Sequence, residues 1–377
     1  MAQKVLGLEI GAQWLRGVVV EGSAREHTVV AHATVPVRPP APAEGEEAPD
    51  PRALRKEAFA EALAAFAEAL GVRPDVVVAA LPVGEAASTV LELPFTDAKK
   101  IEATLGFEVE SLLPLDLDEV LYDDQIVDRR DGASELLVGV ARLEDLEDRL
   151  EVLAGAGLDP RVLTLPALGT FHLATAVARE ELANGDASLA FVDLGAERSL
   201  VAIVQGAPGG KRPPRLTFLR SHEGGVGDLS TLANASLDGD SPEATRLRAA
   251  LAVPLRQLRH SLTAARGKDK RFVDGIRLMG EASRVEGIAP WLERQLGLPV
   301  EIVGELPGGP ELDPAYALAL GLALRGFDRK RGLLNLRKGP FAFHGDLSYL
   351  RGTLLRLGAA AAAILLLLGV NAWARLT

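Results

Sequence analysis

"VLGLEIGAQWLRGVVVEG" (Val5–Gly22) and "LAFVDLGAERSLVAIVQG" (Leu189–Gly206) lie over one another at a constant offset, without a gap. Glu9 falls on Asp193, Gly11 on Gly195, Ala12 on Ala196 and Gly22 on Gly206. In each copy apolar runs flank a Gly-Ala step. This reads as strand, tight turn, strand, because glycine reaches backbone angles closed to other residues. The chain is duplicated.

The elements that follow keep the same order in both halves. After the first copy, a strand at His27–Val37 enters the Pro- and acid-rich run "PVRPPAPAEGEEAPDP", an exposed loop. Phe59, Leu63, Phe66 and Leu70 then recur at helical spacing, Gly71 supplies the stop, and "DVVVAALP" is a buried strand. After the second copy come the strand "RLTFLRS", helical sequence over Pro242–Ala265, the strand "VDGIRLMG", a helix at Arg284–Leu296 and the strand "PVEIVG". The charge run "RLEDLEDRLEVL" is a solvated helix face with Leu146, Leu150 and Leu153 as its buried stripe.

Composition excludes several classes. No cysteine is present, so there is no disulfide or thiolate site, and the six histidines are too scattered for a metal. The net charge of −11 is split: from Arg329 onward the balance is +7, and the body before it carries −18. An acidic body argues against nucleic acid, whose binding needs clustered cations. Between Arg356 and Arg375 lies the uncharged run "LGAAAAAILLLLGVNAWA". As a helix it spans about 27 Å, enough for a bilayer with Arg351, Arg356 and Arg375 snorkelling and Tyr349 and Trp373 at the interfaces. All the tail cations but Arg375 precede the span, which puts the chain up to Arg356 in the cytoplasm and the C-terminus outside. The opening "MAQKVLGLEIG", short and interrupted by an acid, does not read as a signal peptide. The expectation is a cytoplasmic body tethered by a single C-terminal membrane helix.

A repeated β-β-β-α-β-α unit with an acid-x-Gly turn resembles the actin-like (ribonuclease H-like) ATPase superfold, in which two such turns grip phosphates across a cleft. "KKIEATLGFEVESLLPLDLDEVLYDDQIV" (Lys99–Val127) resembles the inserted α+β subdomain of bacterial pilus-assembly protein M and its relatives. "RSHEGGVGDLS" (Arg220–Ser230) and "AYALALGLALRG" (Ala315–Gly326) are similar to that group's Gly-Gly turn and closing helix. Protein M binds a short Asn-Leu-rich peptide at the start of a separate membrane protein. Here "RGLLNLRKGPFAFHGDLSYLRG" and a membrane helix follow the body in one chain, an arrangement similar to type II secretion system protein L. In that group a ferredoxin-like periplasmic domain follows the helix. The implied α/β architecture is lobe I at 1–180 with the inserted subdomain at about 84–160, and lobe II at 181–328 with its closing helix. A basic juxtamembrane linker at 329–356 and a transmembrane helix at 357–374 complete it.

The same resemblance locates a nucleotide cleft. Its candidate residues are Glu9, Gly11, Ala12, Arg16, Asp193, Gly195, Ala196, Gly280 and Glu281. The cleft reads as degenerate. Glu9 reaches about 1.5 Å further than an Asp, against the strict octahedral shell of Mg²⁺. Ala12 and Ala196 replace hydroxyl donors, and Gly280 alone survives of a consecutive-glycine turn, with Glu281 bringing a carboxylate towards the phosphates. Arg16 is the candidate counter-ion; the plainer alternative is a strand-edge arginine facing solvent, with the acids as solvated turn residues. No catalytic residue and no cofactor are assigned, ATP/Mg being the only candidate.

The expected function is an inner-membrane platform subunit of a type II secretion machine. It recruits the hexameric secretion ATPase, couples to a protein-M-type membrane partner and forms a homodimer. The alternative is an actin-like pilus-assembly protein that switches or polymerises with ATP. A sugar kinase of the same superfold lacks a placeable catalytic Asp.

Overall fold

β1 (Gln3–Ile10) and β2 (Trp14–Gly22) pair antiparallel around the first turn, and β9 (Ser188–Leu194) and β10 (Arg198–Gln205) repeat the pairing around the second. The computed structural model describes residues 2–11, 13–23, 26–38, 50–112, 116–130, 132–184, 187–206, 213–227, 229, 236–269, 272–304, 312–328 and 332–345. β3 (His27–Pro36), β4 (Val76–Ala80) and β8 (Val162–Thr164) complete the first sheet in the order β3-β2-β1-β4-β8. β11 (Arg215–Glu223), β12 (Gly275–Met279) and β13 (Val300–Ile302) complete the second as β11-β10-β9-β12-β13. The two orders are the same. Even the irregularities coincide: the register shifts at Val19/Val20 in one lobe and at Ile203/Val204 in the other, positions that the repeat superposes.

Each sheet is covered on both faces, which is why its central strands read as continuous apolar runs. On β1, Leu6, Leu8 and Ile10 face α1 (Pro51–Leu70), where they meet Phe59, Leu63 and Phe66. Asp50 caps the start of α1, and Gly71 ends it in the left-handed conformation. Val5 on the opposite face packs with Leu320 and Leu322 of α8 (Ala317–Arg325). On β9, Ala190, Val192 and Leu194 join α6 (Pro242–Asp269) and α7 (Ile288–Leu296), while Leu189 and Phe191 meet the core reached by α4 (Pro166–Val177).

The closing helices tie the lobes together. α8, late in the chain, lies on β1, β2 and β4 of the first lobe, and α4 reaches β10 of the second. They cross backbone to backbone: a Cβ at Gly321 would stand 2.1 Å from the Gly169 carbonyl oxygen.

Between β4 and β8 the chain builds a separate three-stranded sheet, β5-β7-β6, from β5 (Ala86–Leu93), β6 (Val120–Arg130) and β7 (Ala133–Arg142). α2 (Ala98–Leu112) covers it through Ile101, Leu105 and Val109, and α3 (Leu143–Gly155) buries the expected Leu146, Leu150 and Leu153. α5 (Arg179–Asn184) links the lobes in sequence. One helix starts later than expected. Gly287 is left-handed (φ 74°), so α7 opens at Ile288, and Glu281–Arg284 form a short 3₁₀ turn instead. Residues 1–341 make one compact unit. The expected membrane segment at 357–374, with Tyr349, Arg351, Arg356, Trp373 and Arg375, lies outside the described residues. Among those described, no helix is long and apolar enough to cross a membrane.

Candidate functional site

The two turns do face one another, but a guanidinium stands between them. Arg198, the first residue of β10, donates from Nη2 to Glu9 Oε1 at 2.6 Å and from Nη1 to Asp193 Oδ2 at 2.9 Å. Burial by itself would lower the Arg198 pKa; the charges of Asp193 and Glu9 outweigh it and raise it instead. The two acids read as metal-holding carboxylates are therefore brought together across the lobes and paired with a protein cation.

Arg16 corrects one expectation. It is 6% exposed, so it is not a solvent-facing edge residue. Its Nη2 donates to Glu281 Oε2 at 2.6 Å, again from lobe I to lobe II. Glu281 Oε1 accepts from Arg284 Nη1 at 2.7 Å, and Arg284 Nε reaches Asp313 Oδ2 at 2.8 Å. Burial opposes the Arg284 charge, but Glu281 and Asp313 prevail and its pKa is raised. Nor are the acids solvated turn residues, since the side chains of Glu9, Asp193 and Glu281 are 13%, 5% and 7% exposed.

The glycines serve this packing. Gly280 is at φ 87°, and a Cβ there would stand 2.1 Å from Asp193 Oδ1. The Gly11 amide donates to the Trp14 carbonyl and the Gly195 amide to that of Arg198, so both close their own hairpins. The second turn is also covered: Gly224, Val226 and Gly227 donate to the carbonyls of Glu197, Gly195 and half-buried Ala196. Ala12 lies outside the described residues. No cluster among the described residues could hold a metal ion.

Sequence reasoning missed a second site. Residues 332–341, within the span read as a linker, pack between β8 and the inserted sheet. Leu334 and Leu336 are wholly buried, the former against Gly139, where a Cβ would stand 3.0 Å from it. Asn335 between them is held by four hydrogen bonds, one of them from its Nδ2 to the Arg161 carbonyl at 3.4 Å. Its amide donates to Asp123 Oδ2 (2.7 Å), and its side-chain oxygen accepts from Leu163 N (3.0 Å) and Arg337 N (3.1 Å). Leu336 N donates to the Leu163 carbonyl at 2.8 Å, and Leu334 N to Gln125 Oε1 at 3.2 Å. Lys338 Nζ reaches Asp123 Oδ1 at 2.7 Å. The segment covers the free edge of β8, the last strand of its sheet. The alternation Leu-Asn-Leu, with buried side chains two apart, was the available signal.

Two lobes of one topology meeting at paired acid-x-Gly turns define an actin-like body. The chain belongs to the family of the type IV pilus assembly protein PilM, whose family model matches residues 7–211. It is similar to the solved PilM-PilN type IV pilus biogenesis complex, at 26% identity over 86% of this chain and 98% of that one, with a TM-score of 0.68. More distant is the cytoplasmic domain of EpsL, an inner membrane component of the type II secretion system of Vibrio cholerae. It is 13% identical over 90% and 99% of the two chains, with a TM-score of 0.43. A Bacteroides thetaiotaomicron protein with an actin-like ATPase fold is 9% identical over 85% and 95%, with a TM-score of 0.44. Among curated proteins none matches.

Proposed function

We propose that this chain is a platform subunit of a type IV pilus or type II secretion machine at the bacterial inner membrane. In this reading an M-type docking body carries its own N-type docking segment. The observation behind it is the seating of Leu334-Asn335-Leu336 on the body, with both leucines fully buried. The resemblance in sequence gives protein M an Asn-Leu-rich peptide from a separate membrane protein, and the related solved complex pairs PilM with PilN. Here the body and the segment belong to one polypeptide, so docking needs no second chain. Its effective concentration is that of a tethered ligand, in the millimolar range.

The body acts as a scaffold rather than an enzyme. Arg198 neutralises Glu9 and Asp193, and Arg16 with Arg284 neutralises Glu281. A nucleotide would have to displace those buried pairs. The scaffold's client is the machine's hexameric cytoplasmic ATPase, held at the membrane by the apolar segment 357–374.

Cell fractionation tests the role. With the full chain expressed, the ATPase is expected in the membrane fraction, from which it co-purifies with the chain. Without the chain it is expected in the soluble fraction. An ATPase distributed identically in both strains contradicts the proposal.

A further inference from the structure

The two most exposed phenylalanines among the described residues stand on surfaces of opposite charge. Phe107 is 74% exposed on α2 and Phe272 64% exposed just before β12. α2 buries Ile101, Leu105 and Val109 on the inserted sheet. Phe107 is left outside, with exposed Glu110 one turn further and Asp116, Asp118 and Glu119 following the helix.

α6 is the opposite. Between Glu243 and Asp269 it contains five arginines and a lysine and no acid, on a body that is otherwise strongly acidic. Arg256, Arg259 and Arg266 are exposed. The end of α6, Phe272 and the turn after α7 enclose an open hollow of about 520 Å³. Leu262, Leu296 and Leu298 give it apolar walls, and Arg259 and Arg266 stand among its lining residues. Arg266 Cζ lies 4.1 Å from the centre of the Phe272 ring, holding that ring beside the hollow by a cation–π contact.

We propose that α2 of one copy docks on α6 of the next, with Phe107 entering the hollow beside Phe272 and the acids around it meeting the arginines. The charges on the two surfaces are complementary, and opposite patches orient an encounter even when both molecules carry net charge of one sign. An aromatic anchor in an apolar hollow rimmed by charge is the composition of an interface centre. The surfaces belong to different parts of the chain, so the contact is head to tail, and each copy can hold a neighbour at both ends. It requires neither a nucleotide nor the pilus reading given above.

Mass photometry and sedimentation velocity of the full chain in a mild detergent test this, with circular dichroism melts confirming that variants fold. The wild type is expected to form oligomers that lengthen with concentration. Phe107→Asp, which lacks the anchor, and the double variant Arg259→Glu/Arg266→Glu, which lacks the receptor, each weaken association at least about tenfold. Mixed, those two variants restore one intact contact per pair and give a 1:1 dimer and nothing larger. A wild type that stays monomeric at its highest soluble concentration overturns the proposal, as does wild-type assembly by both variants separately. So does binding of anionic vesicles through Arg259 and Arg266 without self-association, which assigns the patch to lipid.

Discussion

Arg198 bridges two acids, Glu9 and Asp193, that occupy the same place in the two copies of the repeat. Removing one member of a buried ion cluster leaves the others desolvated and uncompensated, at a cost of about 3–5 kcal/mol. Arg198→Ala is therefore expected to lower unfolding stability by that amount in a denaturant titration. The triple change Glu9→Gln, Asp193→Asn, Arg198→Met should recover most of it, since no buried charge then lacks a partner. A loss below about 1 kcal/mol for Arg198→Ala would mean the cluster is well hydrated. Glu9 and Glu281 were legible as anomalies in the sequence and Asp193 as the expected turn carboxylate, but their counter-ions were only half legible. Arg16 was the candidate counter-ion, and it does pair with Glu281. Arg198 was not, because its equivalent in the first copy is Trp14, and comparing the halves therefore conceals it.

At the scale of elements, strands and long helices were readable wherever a run or a period was unbroken, as in β1, β9, α1 and α3. Contacts between elements were less so. The crossing of α4 and α8 depends on Gly169 and Gly321, and nothing local in sequence says that the two meet. Gly321→Ala would force a Cβ against the Gly169 carbonyl, a backbone atom that cannot rotate away. The expected loss is about 1–3 kcal/mol in thermal or chemical unfolding, and an unchanged midpoint would show that the helices separate easily. Where α6 meets β11, His222 Nε2 lies 3.1 Å from buried Ser261 Oγ. Burial first, then the charges of Arg220 and His260, hold the His222 pKa below the usual histidine value. The unfolded chain then binds the proton more readily. The group's contribution to stability is fully present above about pH 6.5 and is lost as the pH falls through the depressed folded value. Melts from about pH 7.5 to about pH 5.5 should show a smaller acid-side decline for His222→Gln than for the wild type; parallel declines would refute the assignment.

At the scale of the whole molecule, the duplication could be read from one repeated stretch because both copies must build the same central hairpin. The docked segment could not. A short Leu-Asn-Leu alternation in a basic stretch looks like a linker until Asp123, Gln125 and Leu163 from distant elements are seen around it. With the cleft internally neutralised, millimolar ATP and Mg²⁺ should leave the melting temperature of the full chain unchanged. A saturable rise would favour the ATP-responsive alternative.

Anisotropy of a labelled peptide with the sequence of residues 332–341, GLLNLRKGPF, asks most directly whether this body is occupied by its own segment. The intact chain should bind the peptide weakly or not at all. The variant Leu334→Asp/Leu336→Asp, folded by circular dichroism, should bind it saturably at 1:1. Equal binding by both proteins, or none by the variant, would contradict the account.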